Sequence, residues 1–379
     1  MATITYPTLI EIDFGAIKVL GDALKRNGIK RPLICTDKGI VATGIFDKIR
    51  SVLPNDVKPT TFDGTPGNPT EAAVREALAL YRANDCDGIV ALGGGSSIDL
   101  GKATALLVNH DGPIDDWSAV NGGGQRIGPS PPIIAIPTTA GTGSEVGSGS
   151  VIVTEDGRKI VIVSPELKPK MAICDPELTF DLPRHLTAAT GMDAMAHCIE
   201  AYLTPVINPP AAAIGLDGLE RVVKYLRRAV DNGHDKEARW NMMMAASEGA
   251  MAFAKGLGSV HSMSHAIGAD PALRAHHGTL NAVILPPMLR FNADHVGDKY
   301  TKLRQAMGLK PSVDLSDWIT DFNASLELPA NLGQIGVTTA MIPSLAAHCM
   351  TDACHATNPK PPTQDEYERL FEEGIGFGS

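Results

Sequence analysis

Along the first half of the chain, apolar positions gather in short β-branched runs separated by stretches with helical spacing. RPLICTD (31–37), DGIVALGGG (87–95) and PPIIAIPTT (131–139) read as strands, with KIVIVS (159–164) and KMAICD (170–175) as weaker ones. Between the first two, TEAAVREALALYRAND (70–85) sets Ala73, Val74, Ala77 and Leu80 on one helical face. Strand–helix–strand alternation of this kind predicts a mainly parallel sheet with helices on both sides. Near Pro176 the texture changes. From LTAATGMDAMAHCIEAYL onward the spacing is helical, with few β-branched runs. GLERVVKYLRRAVDNG (218–233) is amphipathic and is expected to close on its glycine. The Met stripe of NMMMAASEGAMAFA (241–254) is expected to be helix-packing core, and NPKPPTQ (358–364) a local loop. The expected architecture is an α/β domain with a parallel sheet over 1–180 and an all-α domain over 181–379.

Length supports two domains, because 379 residues exceed one comfortable core. With 44% apolar and 20% charged residues, the composition is that of an ordinary globular enzyme. A formal charge of -10 argues against a nucleic-acid or anionic-membrane partner. The six cysteines (Cys35, Cys86, Cys174, Cys198, Cys349, Cys354) include no CxxC pair, which fits a reduced compartment. The start, MATITYPTLIEIDFGA, lacks the basic and apolar regions of a signal peptide, and no run is apolar enough to span a bilayer. A soluble cytoplasmic protein is expected.

Two loops carry the first candidate chemistry. LGGGSSIDLGKA (92–103) follows a strand and enters a helix, so its backbone N–H groups and the helix N-terminus could receive phosphate, with Ser96 and Ser97 adding hydroxyls. It is neither the spaced-glycine dinucleotide fingerprint nor a P-loop. PTTAGTGSEV (137–146) leaves another strand and is dense in Thr, Ser and Gly. Two such loops at neighbouring strand ends fit a nucleotide outside the carboxyl edge of a parallel sheet. Asp37 could hydrogen-bond a ribose hydroxyl and repel a 2′-phosphate, which favours NAD over NADP; it could equally be a turn residue opening TDKG.

The second candidate chemistry is metal binding. Asp193 and His197 sit four apart in TGMDAMAHCIEAY, His261 and His265 repeat that spacing, and His276–His277 precede Gly278. One carboxylate with several imidazoles suits Fe²⁺ or Zn²⁺ better than Mg²⁺. Each residue alone could be a surface pair or a satisfied core histidine. His110, His234 and His295 are expected to be solvated, His185 lies at a helix start, and His348 and His355 could be lid or core.

Taken in order, RPLICTDKG, DGTPGNPT, GGGSSIDLGKA, IPTTAGTGSEV, DPELT, GMDAMAHCIEAY, VHSMSHAIGA and HHGTLNAVILP resemble the iron-containing (group III) alcohol dehydrogenase family nearly end to end. The resemblance implies a dinucleotide-binding α/β domain, a helical domain, a metal in the interdomain cleft, and a homodimer or larger assembly. It implies Asp193, His197, His261 and His277 as metal ligands and His265 as a catalytic histidine near the nicotinamide. Gly94, Gly95, Ser96 and Asp99 match the pyrophosphate loop; Thr138, Thr139 and Ser144 match the second loop. Asp37, Asn68, Lys159 and Leu178 complete the cofactor set. The chain departs from the family in DPALRAH, which is longer than the usual spacing and adds His276 as an alternative ligand or substrate contact.

The implied reaction is NAD-linked hydride transfer between nicotinamide and a small primary alcohol or aldehyde, with His265 relaying the hydroxyl proton. Arg274, in the departed segment, could hold a carboxylate, which raises a 4-hydroxybutyrate-like hydroxy acid as alternative substrate; it could also simply be solvated. Maleylacetate reductases, sugar-phosphate cyclases and a non-enzymatic nucleotide- or metal-binding protein are the other readings. The cyclases would need a basic phosphate pocket, and no dense Lys/Arg cluster stands in the second half.

Overall fold

The runs at 31–37, 87–95 and 131–139 form strands at their apolar centres, where each position finds cover on one face or the other. In the computed structural model, which describes residues 8–270, 272–273 and 275–376, they are β2 (Pro32–Cys35), β4 (Gly88–Gly93) and β5 (Ile133–Pro137), buried throughout. With β1 (Leu9–Ile12), β3 (Thr60–Phe62) and β8 (Met171–Cys174) they form a six-stranded sheet in the order β1-β8-β5-β4-β2-β3. All its pairings are parallel. Alternate residues serve opposite faces. Leu33, Cys35, Ile89, Ala91, Ile133 and Ala135 enter one core, and Ile34, Val90, Leu92, Ile134, Ile136 and Ile173 enter the other. The segment at 159–164 does form a strand, β7 (Lys159–Val163). It pairs antiparallel with β6 (Gly149–Val153) in a separate hairpin.

The helices beside the sheet are α1 (Leu20–Arg26), α2 (Lys38–Ala42), α3 (Ile45–Ser51), α4 (Glu71–Ala83) and α5 (Gly95–Asn109). Thr70 starts α4 by accepting the Ala73 N–H. After Asp181 the described chain is helical: α6 (Arg184–Leu203), α7 (Pro209–Asp231), α8 (Lys236–Ala252), α9 (Ser259–Gly268), α10 (His277–Asn292), α11 (Lys299–Ala306), α12 (Leu315–Ser325), α13 (Ile342–Thr351) and α14 (Gln364–Ile375). Two compact units result. One comprises residues 8–139 and 143–181; the other runs from Leu182 and also takes in Ala140–Thr142.

One helix end differs from expectation. The amphipathic helix α7 stops at Asp231 with an extended Asn232 at its cap, and Gly233 is outside it. The Gly233 carbonyl instead accepts from the buried Arg239 guanidinium at 2.8 Å. Met242 and Met243 are core, as their stripe predicts. All six cysteines are free thiols. Among the described residues no helix is long and apolar enough to cross a membrane.

Candidate functional site

Helix α6 is buried on almost every side, and it carries Asp193 and His197 on successive turns of one face. His261 comes from α9, also buried, and His277 opens α10 with part of its ring exposed. Three imidazole Nε2 atoms surround a single oxygen, Asp193 Oδ1, at 3.7 Å (His197), 3.8 Å (His261) and 3.6 Å (His277). Ligand atoms about 2.1 Å from a tetrahedral ion lie roughly 3.4 Å from one another. The spacing and the N/O donor set therefore fit one divalent transition-metal ion, with Asp193, His197 and His261 forming its innermost buried trio. Gly278 makes the approach of α10 possible: a Cβ there would lie 2.1 Å from the Ala189 carbonyl oxygen and 3.2 Å from Asp193 Cβ.

Around these four residues stand His265 and four that are not among the sequence candidates: Asn281, Glu200, Ser264 and Asp352. Asn281 donates to Asp193 Oδ1 at 2.7 Å, with the Nε2 atoms of His261 and His277 at 3.3 and 3.2 Å. Glu200, one turn beyond His197 on α6, meets His261 Nδ1 at 2.5 Å. Ser264 Oγ lies 3.2 Å from His277 Nδ1. His265 bonds through Nδ1 to Asp352 at 2.9 Å, and its ring stacks on His277 with centroids 5.4 Å apart. Burial pushes His197 down to about 4 even though Asp193 pulls the other way, so it stands as neutral imidazole, the form that binds metal. Burial also opposes charge on His261, but there Glu200 and Asp193 win and raise it. Asp352 is held at about 2: burial works against its charged form, while His265 and the Cys354 N–H outweigh it.

The nucleotide candidates cluster differently. Strands β2, β4 and β5 are parallel neighbours, so the segments after Cys35, Gly93 and Pro137 leave the same edge of the sheet. Gly94 caps α5, Gly95 is its first residue, and Ser96 Oγ donates to the Gly67 carbonyl. The Thr138 N–H donates to the Gly93 carbonyl at 3.0 Å, linking the two loops, and Thr139 follows at the same edge. Asn68 Oδ1 accepts from Lys159 at 3.1 Å.

Asp99, expected in the pyrophosphate loop, and Ser144, expected in the second nucleotide loop, bond to each other, and Asp99 also accepts the Val151 N–H at 3.0 Å. The fully buried Lys102 completes this network through Ser144 Oγ and the carbonyls of Gly147 and Gly149. Burial pushes the Lys102 ammonium down to about 8 against the pull of Asp99 and Glu145. Asp37 caps α2 by accepting the Ile40 N–H, which is the turn-residue role. Leu178 is buried in the sheet core with Leu92 and Ile136.

Three further candidates need comment. Arg274 lies outside the described residues. His276 is exposed at the N-cap of α10, and His277, directly before Gly278, is the one turned toward Asp193. His110 is not solvated as expected: Nδ1 bonds the Leu106 carbonyl and Nε2 accepts the Gly128 N–H, so both nitrogens serve the fold.

Comparison with known proteins gives a consistent picture. The sequence model for iron-containing alcohol dehydrogenase matches residues 7–176, and that for the C-terminal part of the Fe-containing alcohol dehydrogenase family matches 187–375. The chain is 49% identical to a 4-hydroxybutyrate dehydrogenase of Cupriavidus necator, covering 99% of this chain and 100% of that protein. It is 32% identical to an NAD-dependent methanol dehydrogenase of Bacillus methanolicus, covering 99% and 100%. Its fold matches the crystal structure of a 1,3-propanediol oxidoreductase with a TM-score of 0.92 at 33% identity, covering 98% and 100%.

Proposed function

The chain belongs to the iron-containing alcohol dehydrogenase family, and on that premise we propose that it is an NAD-linked dehydrogenase moving a hydride between nicotinamide and the carbinol carbon of a small primary alcohol. Asp193, His197, His261 and His277 would hold Fe²⁺, with Zn²⁺ as the other ion the donors suit. The observation that carries this reading is the set of three Nε2 atoms at 3.6–3.8 Å from one carboxylate oxygen.

Such an ion supplies Lewis-acid charge compensation at the reacting oxygen. The chain's own part is positioning and proton handling. Gly94, Gly95, Ser96, Thr138 and Thr139 would hold the dinucleotide, with the Asp99–Lys102–Ser144 network keeping the loops in shape. Asn68 and Lys159 would stand on the ribose side, and Asp37, two residues past β2 and capping α2, would through its negative charge also disfavour a 2′-phosphate. His265, with Nδ1 committed to Asp352, has Nε2 left to take the hydroxyl proton. The Bacillus methanolicus relative, described as NAD-dependent, supports the choice of dinucleotide.

Metal content and NADH formation, measured on protein purified without air, test this. His261→Ala is expected to lose both the ion and turnover; full turnover by ion-free His261→Ala would refute the assignment.

A second reading concerns substrate. The 49% identity with a 4-hydroxybutyrate dehydrogenase favours an ω-hydroxy acid over an unsubstituted alcohol, and Arg274 is the residue proposed to take its carboxylate. The expected result is a kcat/KM for 4-hydroxybutyrate at least about tenfold above that for 1-butanol, with Arg274→Ala lowering only the former, as loss of a charge-assisted hydrogen bond should. Equal loss on both substrates would count against the carboxylate role.

A further inference from the structure

Glu200 is fully enclosed, and its two oxygens do different things. Oε1 accepts the Val260 N–H at 2.8 Å, and Oε2 meets His261 Nδ1 at 2.5 Å. The first contact belongs to the start of α9, whose cap residue, Gly258, has no side chain to satisfy the free N–H groups of the first turn. Side chains from elsewhere do so: Asn358 Oδ1 accepts the Ser259 N–H at 3.0 Å, and Glu200 takes the next one. A Cβ on Gly258 would fall 2.6 Å from Asn358 Oδ1 and 2.7 Å from Glu200 Oε1, so the missing side chain is what lets both acceptors in. The second contact fixes an imidazole. A carboxylate can only accept, so Nδ1 of His261 keeps its proton, and in the neutral ring that a metal requires the lone pair is on Nε2, the nitrogen 3.8 Å from Asp193 Oδ1.

We infer that Glu200 is a positioning residue for the metal centre: one carboxylate sets both the height of α9 and the tautomer and rotation of His261. The inference rests on the ligand set proposed above. It adds a third functional position to the face of α6 that already carries Asp193 and His197, and the 193, 197, 200 spacing keeps all three in line.

Glutamine at this position keeps the size but has one acceptor oxygen, so one of the two N–H groups must face an amide NH₂. The test is Zn²⁺ affinity, read by competition with a chromophoric chelator on the folded, full-length protein. Glu200→Gln is expected to bind Zn²⁺ about 10- to 100-fold more weakly, the usual effect of losing a carboxylate behind a ligating histidine. Glu200→Asp, too short to span both donors, is expected to move the same way and carries the test should the glutamine variant not fold. Asn358→Ala removes the other external cap of α9 without touching His261, and is expected to lower the melting temperature while leaving Zn²⁺ affinity within about threefold of the parent. Parental affinity in both Glu200 variants would overturn the inference, and so would an equal loss in Asn358→Ala, which would mean that capping alone matters. His261→Ala separates the two levels. If it too keeps the ion, the ligand reading fails; if it loses the ion while the Glu200 variants keep it, only the role of Glu200 fails.

Discussion

At Gly278 a single hydrogen in place of a methyl group decides how near α10 comes to α6. The Ala189 carbonyl oxygen stands 2.1 Å from where a Cβ would be, and that oxygen belongs to buried helix backbone that cannot swing aside. Gly278→Ala should therefore push the first turn of α10 outward and carry His277 with it. Overpacking of this kind costs about 1–3 kcal/mol, so a lower melting temperature is expected together with reduced metal content. Thermal melts and metal analysis of the one variant check both; unchanged values would show that α10 can shift without disturbing the ligands.

The pairs Asp193–His197 and His261–His265 are visible as candidates by i, i+4 spacing, because neighbouring turns of a helix share a face; the division into ligands and catalytic histidine comes only from the family resemblance. Asp352 is not visible in this way, since the histidine it serves lies 87 positions away, and Asn281, though four residues after His277 on α10, makes its 2.7 Å bond to a carboxylate 88 positions distant. Glu200 is half legible: it stands on the same face as His197, though its partner on α9 is 61 positions distant.

Among the elements, strands buried on both faces were the legible ones, because their sequences are continuous apolar runs that no amphipathic helix would show. β1 and β3 are not legible in the sequence because they are edge strands of four and three residues, with LIEI and TTF open to solvent in part. KIVIV is readable as a strand from its alternation. Its removal to a separate antiparallel hairpin is not, since that depends on pairing with Gly149–Val153. The Asp99–Lys102–Ser144 network has the same origin. Asp99 and Lys102 share a helical turn, but their hydroxyl and carbonyl partners lie 42 to 47 residues downstream of Lys102. A serine that looks available for a nucleotide in the sequence is committed to a buried ammonium once the chain folds.

For the molecule as a whole, all four proposed ligands lie in the unit that begins at Leu182. An ion that binds the folded state alone stabilises it by about 2.7 kcal/mol when present at one hundred times its dissociation constant. Calorimetry with and without Zn²⁺ should thus show the transition of the helical unit rising with the ion, falling back with chelator, and staying put in His261→Ala. A transition indifferent to the ion in the parent protein would speak against a metal centre there.

The three-residue excursion Ala140–Thr142 has a consequence for how the chain is made. A ribosome delivers these residues some forty positions before the helical unit that claims them. They must wait at the end of an emerging sheet until α6 arrives. A fragment beginning at Leu182 would lack them altogether, so cutting at that boundary would yield a unit with a piece missing.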